Sequence, residues 1–345
     1  MLFAVGALWA AATIGTGFAN GLITLFVARF LLGLGEGATF PTATKAMAIW
    51  LPARKRAFAQ GITHSFSRLG NAITPPLVGY LMIAYGWRMP FYLLGAISLV
   101  WAVWWVAFFR DNPRDDRRLT AEELAELLPP SEPRPVPWVP LFKKIAPVTA
   151  VDFCYGWTLW VYLTWLPSFL ATAYHLPVKK FVWFTAGVLL AGVIGDTVGG
   201  LLSDTLLVRT GNLKFARRFN LVVGLLGSLL FLLPTLFVHD LITVSILLSL
   251  AFFFLELCNS VLWALSMDMA PQYAGTAGGM MNLGFGIAGV LSPSVFGFLI
   301  DRTGSWQVPF ATSILLLFVG VLLVFRIDPT HPLEVPSRGA THTTS

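Results

Sequence analysis

Windows of about twenty residues nearly free of charge recur along this chain, each long enough to cross roughly 30 Å of hydrocarbon as a helix. No other feature restricts the fold as much. In lipid every backbone N–H and C=O must find a partner inside the protein, so repeated apolar windows of this length specify a bundle of helices. The composition agrees: 56% of the 345 residues are hydrophobic and 12% charged, with a mean hydropathy of +0.74, outside the range of soluble domains. Ten spans are expected, over 1–19, 22–48, 57–84, 89–109, 146–172, 181–206, 219–238, 241–265, 275–300 and 306–326. The opening MLFAVGALWAAATIGTGFA has no positive leading region, since the first basic residue is Arg29, and it reads as a span rather than a signal peptide.

The positive charges set an orientation. Of the 23 Lys and Arg, Arg29, Lys45 and Arg68 fall inside spans. Sixteen of the remaining twenty lie in one alternate set of connections and tails, and four (Arg88, Lys179, Lys180 and Arg302) in the other. The positive-inside rule places the rich set and both termini in the cytoplasm, for a multi-pass protein of the cell's inner membrane. A net charge of +6 is thereby explained without nucleic acid, for which no basic face with interleaved aromatics exists. Cys154 and Cys258 both sit in apolar segments, so no disulfide framework and no clustered metal site is expected. No cofactor is implied either.

A polar, Pro-rich stretch from Arg110 to about Lys144 divides four spans from six and contains TAEELAELL, a candidate short amphipathic helix. A repeat crosses the divide. At an offset of 218, Pro75, Gly79, Leu81 and Gly86 match Pro293, Gly297, Leu299 and Gly304; one residue later Trp87, Pro90 and Phe91 match Trp306, Pro309 and Phe310. Spans one to four thus duplicate spans seven to ten in parallel, as in carriers built from two similar halves. Spans five and six have no first-half partner, so the chain reads as a twelve-span protein without its first two helices. The expected units are a truncated four-span bundle over 1–109, a cytoplasmic linker over 110–145, a six-span bundle over 146–328 and a cytoplasmic tail over 329–345.

Ionisable residues at bilayer depth are costly and commonly face a bundle interior or a wet cavity. Arg29 and Glu36, seven apart, share one face of span two; they read either as a structural pair or as a proton site whose acid is tuned by the arginine. His64 and Arg68, four apart in ITHSFSRLGN, share a face of span three. Arg68 is the candidate grip for an anion, because its planar fork matches a carboxylate in two hydrogen bonds. His64 is equivalent in the repeat to Asn282, placing polar groups at matching positions of the two halves, as a central site requires. Glu256 and Asn259 share a face with Trp263, and Glu256 falls close to Glu36 in the repeat; a second acid, a gate partner for Arg68 and a structural pair all remain open. Tyr155 and Tyr162, seven apart in span five, offer hydroxyls to a cavity. Asp152 reads as a gate or cap residue. Gly33, Gly35 and Ala38 fit the loose pattern GxGxxA, but inside a membrane helix that pattern serves packing rather than dinucleotide binding. No HExxH, GxSxG or Walker sequence occurs, and the chain is not expected to be an enzyme.

The segment GGLLSDTLLVRTG, with Gly200, Asp204, Arg209 and Gly211, resembles the cytoplasmic signature loop of the major facilitator superfamily. RFLLGLGE at Arg29 to Glu36, GWRMPF, YLTWLP and WALSMDMAP followed by a Gly-rich segment with Asn282 extend the likeness over nearly the whole chain. Together they are similar to the anion:cation symporter branch, which carries hexuronates, aldonates, aldarates and other organic anions. The resemblance implies an all-α fold of two pseudo-symmetric bundles, with about ten of the usual twelve helices present. It also implies proton-coupled symport of a small organic anion, such as a sugar acid, by a monomer in the bilayer. Glu36 matches the family's fourth-helix acid and would carry the proton beside Arg29, while Ser266 matches a substrate-contact position. Uniport, another carboxylate as substrate and a non-transporting fragment are the alternatives.

Overall fold

A computed structural model describes residues 1–127 and 135–333. Among them, eleven α-helices occur and no strand. In order they are α1 (Leu2–Gly17), α2 (Leu22–Trp50), α3 (Arg56–Tyr85), α4 (Met89–Phe108), the five-residue α5 (Ala121–Ala125), α6 (Trp138–Ala173), α7 (Val178–Thr210), α8 (Leu213–Leu232), α9 (Leu241–Met269), α10 (Ala274–Thr303) and α11 (Gln307–Val324). Seven are long and apolar enough to span a bilayer: α2, α4, α7, α8, α9, α10 and α11. α1 is shorter, and α3 and α6 are not among the seven. The small α5 lies in the expected TAEELAELL segment, where Thr120 and Glu123 satisfy each other's backbone N–H groups at its start.

The repeat is visible in the helix boundaries. α2 and α9 are both 29 residues long, and α3 and α10 both 30, each preceded by a single short 3-10 turn. α3 and α10 stop at the matched glycines, Gly86 at φ 87° and Gly304 at φ 64°. A side chain at either position would be strained, which is the physical reason for glycine in both copies. α4 and α11 then start with matched prolines, Pro90 and Pro309, inside the first turn, where no backbone N–H is needed.

Packing is uneven. α1 packs on α2 and α4; α6 on α10; and α9 sits between α7 and α8. α9 is the most enclosed helix, buried over 44% of its most apolar window against 11% in α2 and α4. α3 packs more extensively on α7 and α9 than on α2 or α4, and α2 reaches α10. The close α3–α7–α9 approach is made by glycines: a Cβ at Gly195 or Gly199 would strike the α9 backbone at Phe253 and Leu257, and one at Gly61 or Gly200 would strike the carbonyls of Asp196 and Ala57. Ser65 reinforces it, donating to the Val193 carbonyl at 2.7 Å.

Beyond α11 the chain folds back over the end of the bundle. Ile327 is fully buried, Arg218 donates to the carbonyls of Phe325 and Ile327, and the Leu333 N–H donates to Met269. Lys214 pairs with Asp328 at 2.6 Å. The hydrogen bonds from Lys214 and Thr330 hold the Asp328 carboxyl well below the usual carboxylate range.

Candidate functional site

Four helices bring their buried polar residues to one place. Arg68 of α3, 8% exposed, donates from Nε to Glu256 Oε1 of α9 at 3.0 Å and from Nη2 to the Tyr155 hydroxyl of α6 at 3.1 Å. Tyr155 in turn donates to Glu256 Oε2 at 3.0 Å. Asp196 of α7 stands 3.8 Å from Arg68 Nε through Oδ2, and its Oδ1 accepts from Asn259 of α9 at 3.0 Å. Glu256 and Asp196 are fully buried. The guanidinium therefore spans from the first half of the chain to two acids of the second. Beside it the His64 ring stacks between Phe40, at 4.5 Å, and Trp263, at 5.6 Å, with Nε2 left without a partner. A cationic fork of this kind can take a carboxylate or sulfonate in two hydrogen bonds, once its own acids release it.

A second charged network closes the end at which α3 and α8 begin. Arg217 of α8, fully buried, bonds Asp268 at 2.9 Å, Asp204 at 2.8 Å and Ser203 at 2.8 Å. Asp268 also pairs with Arg56 of α3 at 3.3 Å, and Asp204 accepts from the Phe58 N–H at 2.8 Å, inside the first turn of α3. Acid at that helix start meets the partial positive charge of its free N–H groups. This network too links the halves.

The remaining expected residues lie apart from the central cluster. Glu36 is exposed on α2, and Arg29, also exposed, lies over the Phe91 ring at 5.5 Å; the two make no ion pair among the described residues. Tyr162 is buried against Phe252 and donates to the Leu248 carbonyl, so one of the two tyrosines joins the cluster and the other does not. Asn282 is half-buried on α10 without a hydrogen bond among the described residues, and Ser266 bonds the Trp263 carbonyl of its own helix. The expected signature loop is a correction: Gly200, Asp204 and Arg209 belong to α7, which runs to Thr210, and Gly211 ends it at φ 63°. Arg209 is exposed and makes no ion pair among the described residues; Arg217, one helix later, holds Asp204. Asp196, Asp268, Arg56 and Arg217 escaped the residue-level reading. For Asp196 the signal was present, as a lone acid in the apolar run GVIGDTVGG, open to the argument that singled out Glu36.

The sequence profile of the Major Facilitator Superfamily matches residues 1–293 and, in an overlapping second match, 183–344. The chain belongs to the Major Facilitator Superfamily. This superfamily consists of multi-pass membrane transporters, so the chain is a transporter-family protein and not an enzyme. A probable sulfoacetate transporter, SauU, of Cupriavidus necator is 52% identical over 346 aligned residues, covering 99% of this chain and 80% of that protein. A hexuronate transporter of Bacillus subtilis is 31% identical, covering 94% of this chain and 76% of its own length. Among solved structures, FucP, a transporter of the same superfamily crystallised in the outward conformation, superposes with a TM-score of 0.69 at 16% identity, covering 95% of this chain and 81% of that one. The shared fold is the two-bundle facilitator architecture, with the Arg68 cluster lying where the halves of this chain meet.

Proposed function

We propose that this protein is a secondary active transporter that moves a small organic anion together with protons across the inner membrane. It works as a monomer with both termini in the cytoplasm, its two bundles rocking about a central site. The observation that carries this reading is Arg68: a buried guanidinium between the halves, held by acids of the second half. An entering anion competes for that guanidinium. By exchanging its partner Arg68 loosens the contact between α3 and α7–α9 and lets the halves move. His64, Trp263, Tyr155 and Asn259 line the same spot, and Asn282, Ser266 and Tyr162 stand farther out as candidate contacts. The Arg56–Asp268–Arg217–Asp204 network closes the cytoplasmic end in this arrangement. Glu36, exposed on α2, is the proton acceptor that the family resemblance suggests, with Arg29 on the same helix.

Sulfoacetate, which carries a carboxylate and a sulfonate, comes first among substrates on the similarity to the Cupriavidus protein. A hexuronate is the second reading, favoured by the Bacillus relative. Purified protein in proteoliposomes with an inward proton gradient is expected to accumulate labelled sulfoacetate, to be inhibited more by unlabelled sulfoacetate than by glucuronate, and to lose uptake on Arg68→Ala. Preferred uptake of glucuronate transfers the assignment to the sugar acid; unimpaired affinity in Arg68→Ala removes Arg68 from the site.

A further inference from the structure

We infer that Asp196 is a proton-binding site of this carrier, holding its proton at Oδ2 while Arg68 is paired with Glu256, so that a further proton is taken up when Arg68 moves to a bound anion. The inference rests on the proposed transport of an organic anion, and it adds an acid buried beside the anion site to Glu36.

The charge balance of the cluster requires a proton. One guanidinium faces two carboxyl groups, with the Arg68 side chain 10% exposed and those of Asp196 and Glu256 at 0%. With both acids ionised the cluster would bear an uncompensated negative charge out of contact with water, which costs several kcal/mol. The other polar groups facing it are neutral or turned aside. Tyr155 comes in from α6 and Asn259 from α9. His64 lies one turn from Arg68 with its ring stacked on Phe40 and Trp263, and the Cys258 thiol points to the Leu221 carbonyl of α8. Among the described residues no second cation is within ion-pair distance of either acid.

The hydrogen bonds identify the proton's atom. Glu256 accepts at Oε1 from Arg68 and at Oε2 from Tyr155, and Asp196 Oδ1 accepts from Asn259. Asp196 Oδ2, wholly buried and turned toward Arg68 Nε, receives none. A carboxylate oxygen left bare in a dry site is destabilised, whereas a carboxylic acid O–H there is not. Coupling follows from the geometry. When an anion draws the guanidinium away, the pair of acids loses its cation and retains its protons more tightly. When the anion leaves and Arg68 returns, Glu256 ionises again and the second proton departs, while Asp196 keeps its own. Anion and proton therefore bind together and are released together.

Infrared difference spectroscopy of the purified full chain, without substrate, tests the site directly. Wild type is expected to show the carbonyl stretch of a protonated carboxylic acid, shifted by D2O, lost in Asp196→Asn and retained in Glu36→Gln and His64→Gln. Asp152, buried on α6 with Oδ2 also bare, is read out separately in Asp152→Asn; a wild-type spectrum without that band, or a band undiminished in Asp196→Asn, overturns the inference. If the band behaves as expected but no sulfoacetate or glucuronate enters the vesicles, the proton site stands and the transport reading fails.

Discussion

At the scale of residues, Arg68 is worth most to the molecule as half of an interaction whose other half cannot do without it. Glu256 spends both oxygens on Arg68 and Tyr155, so removal of the guanidinium strands a buried acid. Breaking such a pair from one side commonly costs about 3–5 kcal/mol, whereas replacing both partners with neutral groups of like shape costs far less. Arg68→Gln is therefore expected to lower the thermal unfolding temperature of the purified protein markedly, and adding Glu256→Gln to recover most of the loss. Strictly additive losses would mean that the two residues do not depend on each other. The same pair illustrates why a charged residue in a span invites a search for its partner. Arg68 was readable as a cation in an apolar helix, but its acids lie on helices far along the chain.

Elements meet where side chains are missing. α7 carries Gly195 and Gly199 toward α9 and Gly200 toward α3, and this lets three helix axes converge on one guanidinium. The network at the opposite end of α7 depends on α8, through Arg217. Substituting Arg217 with Ala leaves Asp204 without its buried cation and Asp268 with Arg56 alone, and a loss of about 3 kcal/mol or more is expected. Arg209→Ala, on the exposed last turn of α7, is expected to change stability by no more than about 0.5 kcal/mol. Thermal unfolding of the two variants side by side checks the assignment, and equal losses would return Arg209 to the network. The spacing of the resembled motif pointed to Arg209 because it follows Asp204 on the same helix. Five residues on, a side chain of that helix no longer faces the same neighbours.

For the whole molecule, orientation is the property most open to a direct check. Sixteen of the basic residues lie in one alternate set of connections, the side that the proposed orientation puts in the cytoplasm. Both native thiols are buried, Cys154 at 2% and Cys258 at 0% exposure, so single cysteines can be introduced and labelled over little background. A membrane-impermeant maleimide added to intact cells is expected to label Asn20→Cys, in the turn between α1 and α2, and to reach Thr210→Cys, at the end of α7, only after the cells are opened. The reverse pattern would invert the transport direction proposed above.

The ten long helices and the parallel repeat were legible from the order of residues alone. Hydropathy over a window, glycine at a left-handed helix end and proline in a first helical turn are local properties, and α3 with α10, and α4 with α11, carry them in register. Which buried charges meet was decided only by the tertiary structure. Asp196, Arg68, Tyr155 and Glu256 occupy four helices, and nothing in their spacing relates them; glycine-to-backbone contacts between those helices do. Burial raises the cost of each lone charge so far that the acids and the single guanidinium must be solved together.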